Sequence, residues 1–188
     1  MQYQLIVDRE QLRATQTPIK ERYKRDPEAA LVTLSAGGRL DDQEIACSVA
    51  TGRALVKAGL HPATGGTGSL ACSGDMLLQA LVACAGVTLR SVATSLEIPV
   101  SGSVRAEGDL DFRGTLGVTK AGEAPVGFRS IRLTFDLEGQ ATEEQLATLL
   151  RLTERYCVVY QTLVGGVPVS VSVRHPAVNA AEGAGRRT

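Results

Sequence analysis

The sequence predicts an α+β fold in which helices pack on a mostly antiparallel sheet. Three observations carry that expectation: stretches that alternate polar and apolar residues with period two, two segments with helical spacing of apolar residues, and glycine or proline between them. From the N-terminal side, "ALVTLSAGGRLDDQEIACSVATG" reads as two strands joined by a turn around Gly37 and Gly38. A long apolar segment follows, with Ser73 as the expected N-cap and Asp75 in the first turn, where a carboxylate suits the helix dipole. Leu78, Leu81, Val82, Ala85, Leu89, Val92 and Leu96 share one side of it. Ala80, Ala83, Cys84, Gly86 and Val87 keep the rest small enough for another backbone to approach, and Pro99 ends the helix. "SVRAEGDLDF" places Val104, Ala106, Leu110 and Phe112 on one face, and "SIRLTFDLEG" does the same with Ile131, Leu133, Phe135 and Leu137, so the two are expected to pair across the intervening residues. "TEEQ", Thr142 to Gln145, is a capping-box pattern opening a second helix that carries Leu146, Leu149 and Leu150. Cys157 ends that helix, "CVVYQTL" starts a short further one, and "VPVSVSV" alternates again as a last strand.

Bulk properties narrow the function. The chain has 188 residues, 44% of them hydrophobic and 21% charged, which suits one domain with a sizeable core. That domain is expected over residues 30–175, after an N-terminal extension of residues 1–29 and before a disordered tail over residues 176–188. Lysine plus arginine equals aspartate plus glutamate at 20 each, so nucleic acid is not expected as a partner. The N-terminus lacks the basic start and long apolar middle of a secretory signal, which points to the cytoplasm. No membrane is expected either: Met76 to Leu89 is apolar, but Arg90 cuts the run short of the roughly 20 residues that a span needs.

The four cysteines, Cys47, Cys72, Cys84 and Cys157, match no paired CxxC zinc or redox pattern, and in a reducing compartment a disulfide among them would be transient. Cys84 by itself reads as packing or as chemistry, because a small apolar thiol fills helix contacts well. The glycines of "ATGGTG" resemble a phosphate loop but lack the lysine that would follow. His61 could line a pocket or, with Cys72 and Cys84, ligate a metal; no metal or cofactor is expected. Cys72 and Cys47 read as structural, with Cys72 as an alternative resolving thiol.

"GGTGSLACSGDMLLQALVACAGVTLRSVA", Gly65 to Ala93, together with "IRLTFDLEG", "TEEQ" and "CVVYQTL", resembles the OsmC/Ohr family of osmotically inducible and organic hydroperoxide resistance proteins. The resemblance runs from about Ala30 to Val173. It implies an intertwined homodimer whose sheets wrap around long central helices, and a thiol peroxidase that reduces organic hydroperoxides and is reset by a dithiol or protein reductant. Carried over by position, Cys84 is the peroxide-attacking cysteine, Cys157 the resolving one, and Asp75 stands where the family has glutamate. The arginine that contacts the thiolate would be Arg53, with Arg39 as the alternative. Three departures stand out: Val158 follows Cys157 where the family has proline, Asp75 is one methylene shorter than glutamate, and the loop from Arg53 to Gly65 is longer.

The chemistry adds its own demand. A free cysteine with a pKa of about 8.5 is mostly protonated at neutral pH, and Cys84 lies too deep in its own helix for that helix's N-terminus to help. A neighbouring cation, held by Asp75, is therefore the expected source of activation. An apolar wall from Leu77, Leu81, Val82 and the loop around Leu60 would favour alkyl hydroperoxides over hydrogen peroxide. The rival expectation is a noncatalytic module that binds a small apolar ligand, its cysteines structural.

Overall fold

The computed structural model describes residues 8–31, 33, 38–40, 46–50, 55–117, 120 and 122–173. Its first element lies in the N-terminal extension and was not announced by apolar periodicity: helix α1, Arg9–Arg25, starts where the Asp8 carboxylate accepts the Gln11 N–H at 2.9 Å. Leu12 is its buried residue, and Arg9 pairs with Glu97 at the far end of the long apolar helix.

Four short strands form the first sheet in sequence order: β1 (Gly38–Leu40), β2 (Ala46–Ala50), β3 (Leu55–Gly59) and β4 (Ala71–Cys72). The first three are antiparallel, and β4 runs parallel to β3. Gly38 sits inside β1, opposite Val49, and Leu40 faces Cys47, so Gly38 is a strand residue rather than part of the expected turn, and Gly37 lies outside the described residues.

Helix α2 (Ser73–Leu96) follows, with Cys72 at the N-cap and Ser73 already helical. The cap is therefore one residue earlier than serine's preference suggests, because β4 carries the extended backbone up to Cys72. Leu81, Ala85, Leu89 and Ala93 recur every four residues as its buried line. Glu97 ends it in the left-handed region at φ 57°, its N–H returning to Ala93 and Thr94 carbonyls. At 24 residues, with a mean hydropathy of 1.6 over its most apolar 18, α2 does have the length and composition of a membrane span, contrary to the expectation from Arg90; a core helix of a soluble fold passes the same test.

The second sheet is one long hairpin of β5 (Val100–Leu110) and β6 (Phe128–Gly139), in register from Val100 opposite Gly139 and irregular at Asp109/Leu110. Phe112, expected in the strand, begins a one-turn helix α3 (Phe112–Leu116) that the Asp111 carboxylate caps. At the hairpin's end, Gly139 has φ 127°, and a Cβ there would lie 2.2 Å from the Pro99 carbonyl oxygen, so glycine is required. Two further helices complete the order: α4 (Glu143–Tyr156) and α5 (Val158–Gly165). The capping box is present in full, with Gln145 N–H on Thr142 Oγ1 at 3.2 Å and Thr142 N–H on Gln145 Oε1 at 2.9 Å. Leu149 joins Leu89, Ala93, Ile98 and Val100 in the core where α2, α4 and β5 meet.

The last expected strand does not form a ladder among the described residues. Residues 167–173 lie outside any strand, with Val167, Val169, Val171 and Val173 all exposed. A strand needs a neighbour for its amides, and no described segment supplies one. The expected tail, residues 176–188, lies outside the described residues.

Thr142→Ala should lower stability by about 1 kcal/mol through loss of the cap, and Leu149→Ala by about 2–5 kcal/mol through a cavity. Urea unfolding followed by circular dichroism checks both, and a Leu149→Ala midpoint equal to that of the wild type would refute the central place of Leu149 in the core.

Candidate active site

The site is built where two helices abut and a third passes beside them. α4 stops at Cys157, whose φ of −75° and ψ of 109° take it out of helical conformation, and its N–H still reaches the Thr153 carbonyl at 2.9 Å. α5 starts at once, the first bond of its own being Gln161 N–H to the Cys157 carbonyl at 2.9 Å. The amides of Val158, Val159 and Tyr160 therefore have no carbonyl acceptor within the helix. Two sulfurs stand in front of them. The Cys157 thiol, 1% exposed, leans on the Tyr160 and Val159 N–H groups without closing a full side-chain cap. The Cys84 thiol comes from the middle of α2, which packs on α5, and lies beside the start of α5 and the Cys157 thiol. These are loose sulfur contacts, and both cysteines are reduced.

The two thiols respond in opposite directions. Burial pushes Cys84 up, but the Val159 N–H, the Cys157 thiol and the Val158 N–H, acting together, outweigh it and hold Cys84 below the ordinary cysteine value. Thr88 lies on the same helix face, yet its hydroxyl donates to the Cys84 carbonyl at 2.8 Å, so its single proton is not available to the sulfur at the same time. For Cys157 burial wins: despite the Tyr160 N–H, desolvation and the neighbouring Cys84 push its pKa up. The same junction thus shifts the two thiols in opposite directions.

A cavity of about 660 Å³ opens next to this pair, with Leu77, Leu81, Phe128, Leu133, Phe135 and Tyr160 in its wall. Leu81 is one turn before Cys84 on α2 and Tyr160 is three residues after Cys157, so the wall of the cavity comes within one helical turn of each cysteine in sequence, though neither sulfur lines it. Of the expected wall, Leu77 and Leu81 are there. Val82 is not among the lining residues, since one step of about 100° along a helix carries it off their line. Leu60 lines a second cavity of about 370 Å³ with His61 and Cys72, which shares Leu77, Gly127 and Phe128 with the first.

The remaining expected site residues lie away from the sulfurs or outside the described residues. Asp75 is exposed in the first turn of α2, nine residues before Cys84 and about 13 Å away along the helix, and has no ion-pair partner among the described residues. Arg53 lies outside the described residues, and Arg39 lies in β1. Cys72 caps the start of α2, twelve residues and about 18 Å of helix rise from Cys84, too far for direct resolution within one chain. His61 is engaged elsewhere: its Nδ1 accepts the Ala63 N–H at 3.1 Å and its ring stacks on Phe112. Among the described residues no group of three or more His, Cys, Asp or Glu side chains is placed to hold a metal ion. What sequence reasoning missed is the ring of amides at the start of α5; the signal was present, since a cysteine directly before "VVYQTL" is a cap position facing orphan N–H groups.

Comparison with known proteins agrees with this layout. Residues 66–172 match the family model described as OsmC-like protein. Among solved structures, an OsmC-like protein from Mycoplasma pneumoniae is 17% identical with a TM-score of 0.59, covering 77% of this chain and 99% of its own. An organic hydroperoxide resistance protein OsmC from Legionella pneumophila is 19% identical with a TM-score of 0.56, covering 77% and 98%. An organic hydroperoxide resistance protein from Elizabethkingia anophelis is 18% identical with a TM-score of 0.56, covering 74% and 93%. At these identities the structural likeness concerns the fold. No curated protein matches the chain significantly.

Alkylation needs the thiolate, so iodoacetamide should label Cys84 with a pH midpoint below that of an ordinary cysteine and label Cys157 only at higher pH. Peptide mass spectrometry across pH 6 to 10 reads both; Cys157 reacting first would contradict the electrostatic ordering of the two thiols.

Proposed function

The chain belongs to the OsmC/Ohr family, and from that premise we propose that it is a thiol peroxidase that reduces organic hydroperoxides to alcohols. The observation that carries this reading is that two reduced cysteines 73 residues apart, Cys84 and Cys157, come together where α4 meets α5, near an apolar cavity, with Cys84 held below its ordinary pKa and Cys157 above. A structural role would ask only that the two cysteines be buried.

The steps follow from the residues. Cys84 as thiolate attacks one peroxide oxygen of ROOH. An S–O bond forms, the O–O bond breaks, and RO⁻ leaves and takes a proton from water as ROH. Cys84 is now a sulfenic acid, oxidised by two electrons. Its negative charge is gone, and with it one of the influences that kept Cys157 protonated. Cys157 then loses its proton more readily, attacks the Cys84 sulfur and releases water as the disulfide forms. The order of events is thus set by charge: Cys157 is released for attack by the oxidation it has to resolve. A dithiol or protein reductant returns two electrons and two protons. The apolar wall supports alkyl over small polar peroxides, and Arg53 and Asp75 remain proposed contributors to thiolate activation.

We also propose a cytoplasmic homodimer. Ala80, Ala83 and Val87 are exposed on α2, Val87 to 73%, and Val167, Val169, Val171 and Val173 lie exposed with no partner strand among the described residues. Small residues on an apolar helix and an unpaired alternating segment are surfaces that a second copy would cover.

One equivalent of cumene hydroperoxide should remove two thiols and yield a Cys84–Cys157 linked peptide in mass spectrometry. Cys84→Ser should abolish peroxide consumption, and hydrogen peroxide should react more slowly. Both thiols left free would favour the binding-module reading, and equal rates with hydrogen peroxide would refute the apolar-substrate reading. By light scattering the chain should show twice its 19.8 kDa, and Val87→Asp should shift it toward one; a wild type that stays monomeric at high concentration would overturn the dimer.

A further inference from the structure

We propose that Glu154 makes the larger apolar cavity selective against negatively charged ligands, so that the substrates are neutral alkyl or esterified hydroperoxides rather than the hydroperoxides of free fatty acids. That such ligands are substrates rests on the peroxidase reading above; the preference for ligands without a negative charge does not.

An apolar pocket takes the hydrocarbon part of a fatty acid readily, but the carboxylate loses water and needs a cation or a set of donors in its place. The cavity of about 660 Å³ supplies no cation. Among the described residues its wall holds one charged side chain, Glu154, and that charge is negative. Leu150 lines the same wall one turn earlier on α4, so the two stand on one line of the helix. Gln161 Nε2 donates to the Glu154 carbonyl at 2.8 Å, which ties this turn of α4 to α5, the helix that brings Tyr160, Leu163 and Val164 to the wall. Glu154 is exposed at the rim and forms no ion pair among the described residues. Its charge therefore faces whatever enters.

The side-chain donors of the wall do not offset it. Ser130 gives its hydroxyl proton to Asp109 at 2.6 Å and has no second one for a ligand. Arg132 donates to the same Ser130 oxygen at 3.3 Å, but it lies outside the wall and is held by Asp109, with Glu107 on its other side. The Tyr160 phenol remains, a single neutral donor. The second cavity, which shares Leu77, Gly127 and Phe128 with the first, adds no lysine or arginine. A sphere of 660 Å³ is about 11 Å across, close to the Debye length of about 10 Å at 0.1 M salt, so a ligand charge anywhere inside lies within reach of Glu154. Two like charges about 6 Å apart disfavour one another about threefold even through water.

The test uses the full chain and two probes of one shape, octanoate and octanamide, titrated by isothermal calorimetry at neutral pH and low salt. The wild type should bind octanamide more tightly, and Glu154→Gln, which keeps the size and removes the charge, should shrink that ratio about threefold. The same ratio in both proteins would overturn the proposal, as would a wild type that prefers octanoate or binds neither probe. In the kinetic arm, the kcat/KM of linoleic acid methyl ester hydroperoxide over that of the free acid hydroperoxide should fall in Glu154→Gln by a similar factor. A probe preference that follows Glu154 in a protein that consumes neither peroxide would leave the proposal standing and sink the peroxidase reading instead. If Glu154→Gln does not fold, the wild type decides: its octanamide-to-octanoate ratio should fall as salt is added, and a salt-independent ratio would overturn the proposal.

Discussion

The structure turns on the break between α4 and α5, where the backbone leaves helical conformation for one residue and three amides lose their acceptors. An amide cut off from both water and a partner costs about 1–3 kcal/mol, so where this break faces α2 an acceptor close by is favoured. The acceptors supplied are sulfurs. A thiol is a weak acceptor and a thiolate a much better one, so the same amides that need a partner also favour the charged form of Cys84. Folding and reactivity make the same demand at this point.

Magnitudes explain why the two cysteines differ. One pKa unit corresponds to about 1.36 kcal/mol, comparable to a single hydrogen bond to a charged group. Burial opposes ionisation at both sulfurs, and the balance is decided by who donates to whom. Cys84 receives two amides and a thiol proton; Cys157 receives amides but faces the charge of Cys84. Loose contacts suffice to reverse the sign at one sulfur and not at the other. Two adjacent thiols shifted in opposite directions are chemically unequal, although both are cysteines in the same junction.

The same fold leaves apolar surface uncovered in the single chain. α2 buries one line of residues against β5 and α4 and leaves Val87 and its small neighbours exposed. Its hydropathy is high enough to satisfy a membrane criterion, yet its buried line is a packing surface for the hairpin and α4. The exposed side and the unpaired segment from Val167 to Val173 share one property: each has the pattern of a buried element without, among the described residues, the neighbour that would bury it.

Much of the fold was legible because it depends on local periodicity. The α2 stripe, the β5–β6 alternation and the Thr142–Gln145 capping box are written in residues two to four positions apart, and each formed as its spacing dictates. Val158 in place of proline was visible as a departure, and Cys157 before "VVYQTL" as a helix boundary. The sequence alone could not say that α5 would point its amides at the middle of α2, because that depends on how α2 and α4 pack around Leu89 and Leu149. Nor could it place Cys72 and His61 together in the wall of a second cavity, with Cys72 about 18 Å of helix rise from Cys84. Which residues form a helix is settled by their neighbours in the chain. Which sulfur ionises is settled by groups 73 residues distant, and only the packed tertiary structure brings those within reach.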